Sequence, residues 1–148
     1  MKYSQDQPVV RSFLPAVPSE GSVQELSVST PIVERLRSGL PVAEFASLQQ
    51  LLKIPEEELG RLLGISPATL HRRKRSGHLE TPESERIVRF ARLFGWAMEV
   101  LESEEAAREW LKTANPGTAG EAPLSYADTE FGAREVEHLL GRLDHGVF

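Results

Sequence analysis

Arg72, Arg73, Lys74 and Arg75 stand in a row within SPATLHRRKRSGHL, residues 66–79, with no acid before Glu80. Four consecutive cations can neutralise a polyanion. Arginine's planar fork of donors suits phosphate oxygens and the O6/N7 edge of guanine alike. The cluster is out of keeping with the whole: among 148 residues, 17 are Lys or Arg and 22 are Asp or Glu, a formal net charge of −5. Residues 53–94 carry 9 cations against 6 acids, whereas residues 95–148 carry 4 against 11. Such asymmetry suits a chain with a basic part for a polyanion and an acidic part for a different partner.

Other chemistries find little support. There is no cysteine, so disulfides and thiolate chemistry are out. His71 and His78 flank the basic cluster, where a DNA-contact or capping role fits better than catalysis. His138 and His145 are about two helical turns apart beside Glu137 and Asp144, whereas zinc prefers closer spacing and more nitrogen or sulfur ligands. Ser125 and Tyr126 lack a Gly-rich elbow and a base. No phosphate-cradling glycine loop occurs. No catalytic residue, metal ion or cofactor is expected, and the chain reads as a non-enzyme. No apolar run reaches the roughly 18 residues of a membrane span. The polar start, Met1 to Val10, has no signal-peptide core. The expectation is a soluble, cytoplasmic protein without a membrane partner.

A basic cluster becomes a recognition surface only when a helix presents it. Ser66 is a good N-cap and Pro67 fits the first helical position. Leu63-Gly64-Ile65 precede them, so two helices meet at a short turn, as in a helix-turn-helix. Leu59, Leu63, Ile65 and Leu70 fall where that motif packs, and Gly60 falls where its helices approach. Arg73 stands where an apolar residue is usual. With Leu70 facing inward, a turn of about 100° per residue sends Ala68, Arg72 and Arg75 outward, flanked by Thr69, His71 and Ser76. Arg72 and Arg75 are then expected in or along the major groove. Arg73 and Lys74, nearer the buried side, would extend their heads toward phosphates. The expected DNA-binding set is Ser66, Thr69, His71, Arg72, Arg73, Lys74 and Arg75.

The remaining elements also read as helices. Residues 1–30 hold three prolines, scattered serines and no lasting period, which predicts a flexible N-terminal segment. Thr30-Pro31 opens a helix that Gly39 ends, with Ile32, Val33 and Leu36 on one face. Phe45, Leu48, Leu51 and Leu52 recur at helical spacing. Pro55 and three glutamates open the next helix. Thr81-Pro82 repeats the N-cap signature before a stripe of Ile87, Phe90, Ala91, Phe94, Met98 and Leu101. Val88, Trp96 and Val100 extend that helix's apolar character around it, as in a helix central to a fold or shared with a partner chain. Ser103 opens another helix, Asn115 to Pro123 forms a loop, and Asp128 or Thr129 caps a last helix ended by Gly146. No stretch keeps period two. The fold class is all-α, with DNA-binding residues 31–80 and a dimerisation and partner-binding region over 81–148.

TLHRRKRSGHLETPESERIVRFARLFGWAMEVLESEEAAREWLKTANP, followed by PLSYADTEFGAREVEHLLGRLDHGVF, resembles the Xre/ParS-type antitoxins. The pairing of EEAAREWL with DTEFGAREVEHLLGRLDHGVF carries the resemblance, which spans about Leu40 to Phe148. It implies an Xre-like helix-turn-helix region followed by a small helical C-terminal toxin-binding domain. It further implies neutralisation of a cognate toxin, commonly a RES-domain enzyme that consumes NAD, and repression of the shared operon through operator DNA. One segment departs: ANPGTAGEAP is more polar than the family's usual run. The toxin contacts are expected at Arg142, Asp144, His145, Gly146 and Phe148, on the last helix and its tail. A homodimer is expected, because one short helix in a groove binds weakly and two-fold pairing on a palindrome strengthens it. Phe94 and Trp96 are candidate dimer contacts. A stand-alone dimeric helix-turn-helix regulator without a toxin partner is the alternative reading.

Overall fold

The structure, a computed structural model, describes residues 8–14 and 29–146. Among these residues every regular element is helical. The α-helices are α1 (Val9–Ser12), α2 (Ser29–Ser38), α3 (Ala43–Leu52), α4 (Glu56–Leu63), α5 (Pro67–Ser76), α6 (Thr81–Leu101), α7 (Glu104–Lys112), α8 (Pro123–Tyr126) and α9 (Glu130–Asp144). A 3-10 turn spans Pro116–Thr118. An isolated antiparallel bridge joins Pro41 to His78.

The capping chemistry follows the expected residues closely. Ser66, Ser103 and Thr129 are N-caps, each accepting a backbone N–H three residues on. Thr129 rather than Asp128 fills that role for α9. At α6 the cap lies one residue earlier than Thr81: Glu80 and Glu83 form a reciprocal capping box. The expected loop after Asn115 contains the 3-10 turn, tied by the Asn115 side chain accepting the Gly117 N–H.

α6 is the axis of the molecule. Ile87, Phe90, Ala91, Leu93, Phe94 and Ala97 are fully buried along it. α1, α2, α3 and α4 pack on it from the N-terminal side of the chain, and α7 and α9 from the C-terminal side. Buried apolar residues from Val9 to Leu140 form one contiguous core across the expected boundary at residues 80 and 81. At roughly 1.5–3 kcal/mol per fully buried large side chain, that core dominates the cohesion of the fold.

The expected flexible segment does not extend to residues 8–14. Val9 and Val10 are 2% and 1% exposed. The Glu44 carboxylate accepts their N–H groups at 2.8 and 3.0 Å, so α3 caps the start of α1. A Cβ on Gly95 would lie 2.0 Å from the Phe13 carbonyl oxygen, so only glycine admits this segment against α6. A four-residue helix has no period to betray it, and its partners lie far along the chain. The other residues of the 1–30 expectation lie outside the described residues, save Ser29 and Thr30 at the start of α2.

Candidate nucleic-acid interface

α4 and α5 form the helix-turn-helix. Gly64 ends α4 with φ +71°, a left-handed turn suited to glycine. Ile65 donates its N–H to the Gly60 carbonyl at 2.7 Å. A Cβ on Gly60 would meet the Ile65 carbonyl oxygen at 2.8 Å, which explains the small residue there. Ser66 then caps α5 by accepting the Thr69 N–H at 3.2 Å. Leu70 is the buried residue of α5, and Leu59, Leu63 and Ile65 join it in the core.

The outward face matches the helical wheel. Ala68, His71, Arg72, Lys74 and Arg75 are exposed, and Thr69 is half-buried. Arg72 reaches back to the Thr69 hydroxyl at 3.1 Å. Ser66 also donates its hydroxyl to Thr69 at 3.0 Å. Arg75 and His71 engage no side-chain partner among the described residues.

Arg73 departs from the expectation. Its guanidinium donates to both oxygens of Glu83 at 3.0–3.2 Å and lies 3.3 Å from Glu80. The side chain is 17% exposed, and that of Glu83 is 10%. The head therefore turns inward to α6 rather than outward to phosphate. Here the bidentate ion pair takes the place of the apolar contact usual at this position. Burial pushes the Glu83 carboxyl up, but the Arg73 hydrogen bonds, the Glu80 N–H and the charges of Arg73 and Arg86 outweigh it, leaving Glu83 below its ordinary range. The hydrogen bond to Glu83 likewise raises Arg73 above its ordinary value. Lys74 also has a carboxylate partner, Glu56, at 2.5 Å, with both side chains about half exposed.

The first turns of α6 hold the motif from behind. Arg86 donates to the Leu63 carbonyl at 2.7 Å, satisfying the open end of α4. Ser84 accepts the Leu40 N–H at 2.9 Å. The next turns hold the C-terminal part: Arg89 donates to Glu130 and to the Asp128 carbonyl, both at 3.0 Å, and Arg92 to Glu137 at 3.1 Å. Arg108 of α7 caps α3 through the Leu51 carbonyl at 2.9 Å and lies 6.0 Å over the Phe94 ring. Sequence patterning missed these arginines, because their partners are 23 to 57 residues away.

In the C-terminal region, Arg142, Asp144, His145 and Gly146 are all exposed around the end of α9. They share that end and no hydrogen bond joins their side chains. Phe148 lies outside the described residues. Of the two candidate dimer contacts, Phe94 is fully buried within the chain and so unavailable, whereas Trp96 is 36% exposed. Phe131, which drew no attention in the sequence, is 82% exposed. Among the described residues no cluster of His, Cys, Asp or Glu could hold a metal ion, and no helix is long and apolar enough to cross a membrane.

Comparison with known proteins finds two matching family domains. Residues 31–92 match the antitoxin Xre-like helix-turn-helix domain. Residues 97–146 match the antitoxin Xre/MbcA/ParS C-terminal toxin-binding domain. The antitoxin Xre of Yersinia enterocolitica is 36% identical over 124 residues, covering 82% of this chain and 84% of the relative. The antitoxin Xre of Photorhabdus laumondii is 32% identical over 114 residues, covering 76% and 77%. Membership of such a family makes the protein a binder rather than an enzyme. With a helix-turn-helix and a toxin-binding domain built around one shared helix, the chain belongs to the Xre family of antitoxins.

Proposed function

We propose that this protein neutralises a RES-domain toxin that consumes NAD and, as a cytoplasmic homodimer, represses the operon encoding both. The observation that carries the reading is the joining of two surfaces in one chain. The Arg72 and Arg75 face of α5 points outward, and the toxin-binding domain follows directly. Support for a RES partner comes from the paired C-terminal segments that resemble antitoxins of such systems. An acidic C-terminal part suits a basic, phosphate-attracting cleft, since complementary potentials steer association. Arg142, Asp144, His145, Gly146 and Phe148 are the proposed toxin contacts. Ser66, Thr69, His71, Arg72, Lys74 and Arg75 are the proposed DNA set. Arg73 is withdrawn from it, because its ion pair with Glu83 turns the guanidinium inward to α6.

The test is copurification of the tagged protein with its untagged genetic neighbour, alongside growth of cells expressing that neighbour. Rescue of growth with depletion of NAD in unrescued cells supports the reading. Operator binding without any copurifying partner favours the stand-alone regulator. Removal of Leu143 to Phe148 should spare DNA binding and impair rescue; full rescue at normal protein level would clear the tail of a blocking role.

A further inference from the structure

We propose that Glu56 restrains DNA binding by holding Lys74 across the helix-turn-helix, so that recognition depends on the unpaired arginines of α5. The proposal rests on the DNA-binding reading above and deepens it. Three observations lead to it. Glu56, Glu57 and Glu58 occupy the first turn of α4, where the open backbone N–H groups would otherwise favour an anion. Glu56, Glu57, His71 and Lys74 line one open cleft between α4 and α5, floored by Gly60, Ile65 and Leu70. Across it the Lys74 Nζ lies 2.5 Å from a Glu56 oxygen.

In a docked helix-turn-helix the second helix enters the major groove and the first crosses the sugar-phosphate backbone. The rim shared by α4 and α5 therefore faces phosphates. A carboxylate there meets like charge, and it also neutralises the lysine best placed to offset that charge. The side chains of Lys74 and Glu56 are 51% and 46% exposed, so solvent weakens their pair and a phosphate can compete for the lysine. The exchange leaves Glu56 uncompensated beside the backbone. Lys74 then contributes less to sequence-independent affinity than a free lysine would. Among the described residues Arg72 and Arg75 carry no such carboxylate partner. Weak non-specific binding leaves base contacts to decide where the protein rests, which is specificity obtained through a repulsive element.

The experiment measures binding of the full chain to a labelled mixed-sequence duplex and to a duplex enriched from a random pool by the wild type. Glu56→Gln should tighten mixed-sequence binding about threefold to tenfold at low salt. It should also steepen the dependence of log affinity on log salt by about one unit. Lys74→Ala should then cost at least about threefold more in the Glu56→Gln background than in the wild type. Glu57→Gln removes the same charge from a residue that has no cation partner among the described residues, and should give less than half the logarithmic effect. Unchanged or weaker binding by Glu56→Gln, equal effects of the two glutamine variants, or strict additivity with Lys74→Ala would each overturn the proposal while wild-type binding upholds the DNA reading. Failure of the wild type to bind either duplex would overturn both.

Discussion

α5 and α9 begin alike and are held differently. Each opens on a hydroxyl N-cap, Ser66 or Thr129, that accepts an N–H at 3.1–3.2 Å. α5 then buries Leu70, whereas α9 buries Gly132, Ala133, Val136 and Leu140. The orientation of α5 rests on Leu70 and on one inward ion pair, Arg73 with Glu83, whereas the half-exposed pair of Lys74 with Glu56 adds little. That of α9 rests on apolar contact, reinforced by Arg89 and Arg92 at its edge. Under the proposed DNA-binding role α5 shows most of its surface to a polyanion, which leaves few positions for a core. Ion pairs can fix its pitch without using the outward face, though they tie its placement to protonation and partner geometry.

That contrast is sharpest where a core residue is truncated. Leu140 is fully buried, so Leu140→Ala should destabilise the protein by about 2–5 kcal/mol, through lost burial and the cavity left behind. Denaturant unfolding with an unchanged slope would measure it. A loss below about 1 kcal/mol would mean that α9 is not held by its apolar face.

The corresponding break at α5 is Glu83→Gln, which removes the charge that Arg73 is paired with. A cost of about 1–3 kcal/mol is expected, as for a partly buried partner left imperfectly satisfied. The clamp also sets a pH limb. Glu83 titrates below its ordinary value of 4.5 when folded. Its contribution is therefore complete above that value and lost as pH falls through the lower native one. Arg73 stays charged throughout this window. Wild-type stability should drop more steeply than that of Glu83→Gln as pH is lowered from about 5 to 3. Parallel acid limbs would show that the clamp contributes nothing.

Much of this was legible in the sequence, for identifiable reasons. Ser66, Ser103, Gly39 and Gly64 act within a few residues of themselves, so local order reveals them. Leu59, Leu63, Ile65 and Leu70 follow from spacing. Glu80 was hidden as a cap because Thr81-Pro82 offers a better textual match, and side-chain hydrogen bonding settles which residue serves. Arg73 was misjudged because a wheel gives direction but not partner, and Glu83 sits ten residues away on another helix. Arg86, Arg108 and α1 share that origin: each depends on a contact that only the folded chain creates. Trp96 and Phe94 illustrate it from the other side, since two aromatic residues on one helix meet opposite fates.

The two caps allow a smaller and more symmetrical comparison. Ser66→Ala and Thr129→Ala should each cost about 1 kcal/mol, the usual worth of an N-cap side chain. Their consequences should diverge. With little core to hold it, α5 should fray at its first turn, whereas α9 should retain its position on α6. Amide exchange in the first turn of each helix would separate the cases, with faster exchange local to α5 in one variant and a small global change in the other. Equal local fraying would mean that burial does not protect α9.

The smallest effects should come from the residues that face outward. Arg72 is exposed and its guanidinium bonds, among the described residues, to Thr69 alone, and Phe131 is 82% exposed. Neither anchors the core, so Arg72→Ala and Phe131→Ala should each alter stability by no more than about 0.5 kcal/mol. Their separation lies in binding. Arg72→Ala should weaken a selected DNA site by about 1–3 kcal/mol if the guanidinium reads a base, and by a uniform amount on all sequences if it meets only phosphate. Phe131→Ala, at the start of α9, should leave DNA affinity untouched. Thermal melts of both variants, run beside anisotropy titrations on selected and mixed-sequence duplexes, make the comparison complete. A loss of stability above about 1 kcal/mol in either variant would show a structural role for the exposed side chain. Equal loss of DNA binding in both would show that the two faces do not act separately.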